Sequence, residues 1–191
     1  MKIGGGKFRG RTLSEPKDNR VRPTSDKVRQ AIFNIVAHHD FGTGFVFENA
    51  KVIDIFAGTG ALGIEALSRG ASFCLFVDDS AESRALIRRN IEMLDLTGAT
   101  KIWRRDGTEL GSHVAGAGGP FDLAFLDAPY RQGLTELALA SLAQGGWLTT
   151  SALVVAETAA DESLSAPQSF RLVDRRSYGE TTVHTFGISP T

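Results

Sequence analysis

The sequence predicts an α/β protein: a mostly parallel sheet with helices on both faces, closed by a C-terminal antiparallel hairpin and preceded by a small N-terminal hairpin-and-helix extension. Two observations carry this. From Lys51 onward, compact apolar runs alternate with amphipathic helical stretches, a pattern that pairs strands in parallel through helical crossovers. In addition, a glycine cluster sits where the first of these strands meets its helix.

Taken in order, residues 2–13 read as two short strands around a glycine-rich turn. Pro23, Thr24 and Ser25 give a helix-start signal, and Val28, Ile32, Ile35 and Val36 then fall on one helical face that ends near His38 and His39. Gly42, Gly44 and Asn49 mark a linker, which divides a basic unit, 1–45, from the main domain, 46–191. Within that domain Lys51–Phe56, Ser72–Val77, Ile102–Arg104, Phe121–Leu126 and Ala152–Glu157 are expected strands. Ala61–Arg69, Ala81–Leu94 and Leu134–Leu142 are expected helices. Phe170–Arg176 and Thr182–Phe186 form the closing hairpin around Tyr178 and Gly179.

The chain's 191 residues suit one ordinary domain with an appendage, and 42% hydrophobic with 23% charged residues excludes a disordered or coiled-coil chain. No run approaches 18 apolar residues and no secretory core follows Met1, so a cytoplasmic location without membrane attachment is expected. The one cysteine, Cys74, cannot make an internal disulfide or a cysteine-based metal site. Between Phe73 and Leu75 it reads as a buried hydrophobe. No His/Cys/Asp cluster calls for a metal.

Charge is informative through its distribution. Residues 1–30 carry nine basic and three acidic side chains, a net of +6, against −7 in the remainder. A basic arm on an acidic body suits a polyanionic partner.

The strongest motif runs from Asp54 to Gly63. Glycines 58, 60 and 63 follow the spacing G-x-G-x-x-G between a strand and a helix, and Asp78 ends the next strand 20 residues after Gly58. Such glycines let the backbone turn tightly and approach a ligand, while the acid can accept hydrogen bonds from ribose hydroxyls. The spacing alone fits either a dinucleotide or S-adenosylmethionine. Asp54 favours the second, because it would repel a pyrophosphate and attract an ammonium. Asp106, at the end of the third strand, can accept from an adenine amino group, or can pair with Arg104 or Arg105. Downstream, Phe121–Leu126 leads into Asp127, Ala128, Pro129 and Tyr130. A carboxylate, a rigid bend and an aromatic ring suit a flat base with an exocyclic amine, whose hydrogens the acid and a backbone carbonyl can accept while the ring stacks.

These stretches resemble the class I S-adenosylmethionine-dependent methyltransferases, specifically the bacterial 16S ribosomal RNA guanine-N2 methyltransferases of the D type. The resemblance runs nearly end to end. It rests on Ile3–Arg11, Arg22–Arg29, Asp54–Arg69, Phe76–Asp78, Asp127–Tyr130 and Tyr178–Thr181. It implies a Rossmann-like domain in which Asp54, Ala57, Gly58 and Gly60 line the methionine part of S-adenosylmethionine, Asp78 holds the ribose, and Asp106 and Gly107 flank the adenine. Asp127, Pro129 and Tyr130 become the catalytic residues that hold guanine. Lys7, Arg9, Arg11, Arg22, Thr24 and Arg29 become the nucleic-acid contacts. Ala128 departs from the family's usual first proline, and Ser80 stands where many relatives carry an acid or amide. The expected partner is 16S rRNA or a small-subunit particle, met by a monomer that needs no metal. The alternatives are an N6-adenine DNA or protein glutamine methyltransferase, and a non-catalytic RNA-binding assembly protein on the same fold.

Overall fold

In the computed structural model, residues 1–16 and 25–190 are described. The elements run α1 (Asp26–His38), β1 (Lys51–Ile55), α2 (Ala61–Ser68), β2 (Phe73–Val77), α3 (Ala81–Met93), β3 (Thr100–Trp103), β4 (Phe121–Leu126), α4 (Leu134–Gly145), β5 (Leu148–Ala159), β6 (Phe170–Tyr178) and β7 (Thr181–Ile188). Most lie within two residues of their expected bounds. Two were read too short: β5 extends to twelve residues, and α4 continues to Gly145, where Gly146 in the left-handed region ends it.

The seven strands lie in the order β3-β2-β1-β4-β5-β7-β6. Strands β1 to β5 pair in parallel, and β7 runs antiparallel between β5 and β6. This is the mostly parallel, Rossmann-like sheet with the expected closing hairpin. The chain steps outward from β1 to β3 and then returns to β4 on the other side of β1. Connections leaving β1 and β4 therefore diverge, which opens a crevice at their carboxyl ends where ligands of open α/β sheets sit.

Alternation along the central strands builds the two cores. Val52, Leu123, Phe125, Leu153 and Val155 face one layer with α1, α2 and α3. Ile53, Ile55, Ala124, Leu126, Val154 and Ala156 face the other, with α4, Trp147 and Phe186. A period of two in strands buried on both faces is what apolar runs such as Phe121–Leu126 encode. Among the described residues, no helix is long and apolar enough to cross a membrane.

The N-terminal extension keeps the expected pairing in short form. Lys2 and Thr12 make an antiparallel bridge, with the Ile3 N–H on the Arg11 carbonyl and the Leu13 N–H on the Met1 carbonyl at 3.0 Å each, around a glycine-rich turn. The pairing goes no further because of where the backbone donors of the turn go. Gly4 N–H binds the Glu65 carboxylate at 2.8 Å, Lys7 N–H the Ser68 carbonyl at 2.7 Å and Phe8 N–H the Ser68 hydroxyl at 2.9 Å, all on α2. Bonds spent on a helix are lost to a ladder. Ile3 and Leu13 are buried in the same core as Val52 and Phe125, so packing runs on across the glycine-marked linker.

Candidate active site

The glycine motif forms the loop from β1 into α2. Gly63 shows why one of its positions admits no side chain: a Cβ there would stand 2.5 Å from both Cys74 Sγ and the Phe76 ring. Close helix-to-strand approach follows, and it brings the Gly63 N–H to 2.9 Å from the Asp54 carboxylate. Asp54 is buried, and burial pushes its pKa well above the ordinary carboxylate range. The Gly63 N–H opposes that rise, and the charges of Asp127 and Asp78 add to it. Three acids, one from each of β1, β2 and β4, thus converge at the strand ends.

Asp78, half-buried at the end of β2, accepts from Gly58 N–H and Ser80 N–H at 2.9 Å each. Its pKa is raised by burial against those two donors. The acid therefore shapes the glycine loop as well as facing the crevice. Ser80 acts as the cap of α3, accepting from Ser83 N–H at 3.3 Å, and that gives the departure at position 80 a local role. After β3, the Asp106 carboxylate is taken by the N–H of Thr108 at 2.8 Å and its hydroxyl at 2.7 Å, while Arg105 lies over the Trp103 ring. Gly107 is pressed against β1, where a Cβ would meet Ile55 at 2.4 Å.

Asp127 follows β4 beside the end of β1, its N–H 3.5 Å from the Ile55 carbonyl. Ala128 is buried, Pro129 exposed and Tyr130 half-buried. The Tyr130 phenol lies 3.0 Å from the Thr181 hydroxyl at the start of β7. Asp54, Asp78 and Asp127 thus come together at one end of the sheet, with the Gly58–Gly60 loop, the Gly107 turn and Tyr130 on the loops that leave the same strand ends. A separate cavity of about 400 Å³ lies between the end of α1 and residues 39–46, lined by His38, His39, Phe41, Phe45 and Leu153, and holds none of these motif residues. Among the described residues, no group of three or more His, Cys, Asp or Glu could hold a metal ion.

Of the basic residues read as nucleic-acid contacts, Lys7, Arg9 and Arg11 are exposed, and Arg22 and Thr24 lie outside the described residues. Arg29 must be corrected. It is 2% exposed, and its guanidinium binds Asp26 at 2.8 Å, sits 3.7 Å from Glu65 and donates to the Lys2 carbonyl. A cation enclosed by two acids and a carbonyl anchors the arm from within and does not face a phosphate. Glu65 itself also pairs with Arg69 at 2.9 Å.

Sequence reasoning missed three residues of the site's frame: Glu65, Thr181 and Asn90. Asn90 is wholly buried. It accepts from Ser14 N–H at 2.7 Å and donates to the Ser14 and Thr59 carbonyls at 3.2 and 3.0 Å. The signal existed, since Asn90 occupies a position that the Ile87, Ile91, Leu94 stripe assigns to the core.

The family model described as Conserved hypothetical protein 95 matches residues 1–187. Ribosomal RNA small subunit methyltransferase D of Escherichia coli (strain K12) is 33% identical over 196 residues, covering 95% of this chain and 93% of that protein. Among solved structures, the Escherichia coli protein yhhF, whose name assigns it provisionally to the methyltransferases, superimposes with a TM-score of 0.82 at 26% identity. That match covers 100% of this chain and 99% of the other. The Pyrococcus abyssi tRNA (uracil-54, C5)-methyltransferase, in complex with S-adenosyl-L-homocysteine, shares the fold at a TM-score of 0.59 and 17% identity, over 84% of this chain and 37% of that one.

Proposed function

Because the chain belongs to the Conserved hypothetical protein 95 family, alongside ribosomal RNA small subunit methyltransferase D of Escherichia coli, we propose that it methylates the exocyclic N2 of a guanine in 16S rRNA. S-adenosylmethionine is the proposed donor, and 16S rRNA or a small-subunit particle the partner, in the cytoplasm where rRNA is made. One observation supports this most: the Asp127–Tyr130 turn and the glycine loop leave adjacent strands, β4 and β1, at the point where the sheet order reverses.

The residues fit the donor chemically. Asp54 and Asp78 offer carboxylates suited to an ammonium and a ribose, and their raised pKa values reflect negative charge held in a partly dry site, which a cation would relieve. Gly107 admits no side chain because its backbone packs directly on Ile55 and Phe56, and that close packing fixes the turn that carries Asp106 beside the end of β1. When bound, S-adenosylmethionine would supply a sulfonium methyl whose carbon an amine nitrogen can attack in line, the C–S bond breaking as the sulfur leaves as a neutral thioether.

The chain's own residues then act by positioning. Asp127 accepts a hydrogen bond from the guanine amine and a backbone carbonyl of the turn accepts the second, which fixes the nitrogen and makes its lone pair more available. As positive charge develops on that nitrogen, the Asp127 interaction strengthens, and the carboxylate takes the surplus proton or passes it to water. Tyr130 stacks on the ring. Incubation with labelled donor and 16S rRNA, followed by mass analysis of nucleosides, tests the proposal. N2-methylguanosine supports it; N6-methyladenosine or no modified nucleoside overturns it.

A further inference from the structure

We propose that Thr181 is a positioning residue for Tyr130, fixing through its hydroxyl the ring that faces the target base; this rests on the functional reading above. The Tyr178–Thr181 stretch stood out in the sequence but carried no role. In the structure it forms the β6–β7 turn, whose last residue reaches the catalytic loop.

The two ends of the contact differ in stiffness. Tyr130 sits in the connection from β4 to α4, followed by Arg131 with φ at 60°, a conformation uncommon for a side-chain-bearing residue. Arg131 ties that loop to the β5–β6 connection, through its N–H to Glu162 at 3.1 Å and an ion pair to Asp161 at 2.9 Å. That ion pair is exposed on both sides, so water competes for it. Thr181 instead belongs to β7, an interior strand, where it pairs with Ala159 on β5 and Tyr178 on β6, and it is 8% exposed. A phenol oxygen held at 3.0 Å by a hydroxyl on an interior strand restrains the far end of the side chain. With its Cα end set by the loop, the ring plane is then defined from both ends. Stacking on a flat base needs that definition, because a misaligned ring lets the exocyclic nitrogen swing away from Asp127.

Three variants and two readouts test this. Thr181→Val keeps the branched shape and removes the hydroxyl; Thr181→Ser keeps the hydroxyl; Tyr130→Phe removes the other partner. With RNA and donor saturating, Thr181→Val should lower kcat about three- to tenfold, the scale of one neutral hydrogen bond, and leave donor affinity and melting temperature near the parent's. Thr181→Ser should restore the rate to within about twofold. The double variant Thr181→Val/Tyr130→Phe should be no slower than the slower single, because both remove the same bond.

The second readout is independent of catalysis. The chain has two tyrosines, so labelling tyrosine Cζ with carbon-13 gives two signals, and Tyr130→Phe identifies one of them. Thr181→Val should displace that signal and Thr181→Ser should return it. An unmoved signal, or parent-rate methylation by Thr181→Val while Asp127→Ala is inactive, overturns the role of Thr181 and leaves the functional reading intact. Parent-rate methylation by Asp127→Ala overturns the functional reading and the use of the tie with it.

Discussion

Asn90 donates its side-chain amide to the Thr59 carbonyl at 3.0 Å, joining the last turn of α3 to the glycine loop. The same side chain brackets Ser14 of the arm, so one buried amide fixes two segments that belong to different parts of the site. Asn90→Leu retains the volume and strands the backbone groups of Ser14 and Thr59 without partners. Unpaired buried groups cost about 1–3 kcal/mol each. We therefore expect a lower melting temperature together with a roughly three- to tenfold weaker affinity for S-adenosylmethionine by calorimetry. Unchanged affinity in a folded variant would show that the loop holds its shape without Asn90.

The arm is the proposed route to phosphate, but removing it whole is the wrong test, because Ile3 and Leu13 would leave the core. Replacing Lys7, Arg9 and Arg11 by alanine subtracts three exposed charges and leaves the packing. With about 0.7 counterions released per single-strand phosphate, the plot of log affinity against log salt should become shallower by up to about 2. If the slope does not move, the phosphate contacts lie on the body.

Asp127 is expected to matter most when charge has developed on the nitrogen. Asp127→Ala should slow single-turnover methylation on the order of 10² to 10⁴-fold, with donor binding nearly intact. A variant that loses donor affinity instead of rate would place Asp127 in the cofactor site and not at the base.

For Asp54 the sign follows from its surroundings. Burial raises its pKa in the folded protein, so its ionised form opposes folding at pH values above that raised pKa, and the opposition fades as pH falls through it toward the ordinary 3.8. Asp54→Asn, which keeps an acceptor for the Gly63 N–H, should melt a few degrees higher than the parent at pH 7, with the gap closing at pH 5. Donor affinity should fall, the usual trade of stability against a charged site. Melting curves at the two pH values decide it; a gap that is absent at pH 7 or wider at pH 5 contradicts the sign.

Much of the sheet was legible because the chain writes it locally. Phe121–Leu126 and Lys51–Ile55 carry their strands in consecutive apolar residues, and Gly58, Gly60, Gly63 and Asp78 carry the loop in fixed spacings. What failed depends on partners far along the chain. Arg29 counts as one more cation in a basic segment until Glu65 comes beside it across 36 residues, although it shares the helical face of Phe33 and Val36, which hinted that it points inward. The N-terminal hairpin is shorter than expected for the same reason: the Lys2–Thr12 pairing forms, but Ser68 and Glu65 take the donors of its turn. Thr181 is an ordinary threonine in a β-rich stretch, and only the fold of β7 beside the β4 loop gives its hydroxyl a phenol to meet.

The packing of Gly63 on Cys74 also makes the protein its own reporter of opening. The thiol is fully buried, and burial pushes its pKa upward, so in the folded state it is both shielded and unreactive as a nucleophile. With no second thiol in the chain, any alkylation records a moment when the α2–β2 packing has opened, by itself or with the whole fold. Labelling kinetics at Cys74 therefore clock the opening of the packing that seats the glycine loop, without any probe having to be introduced.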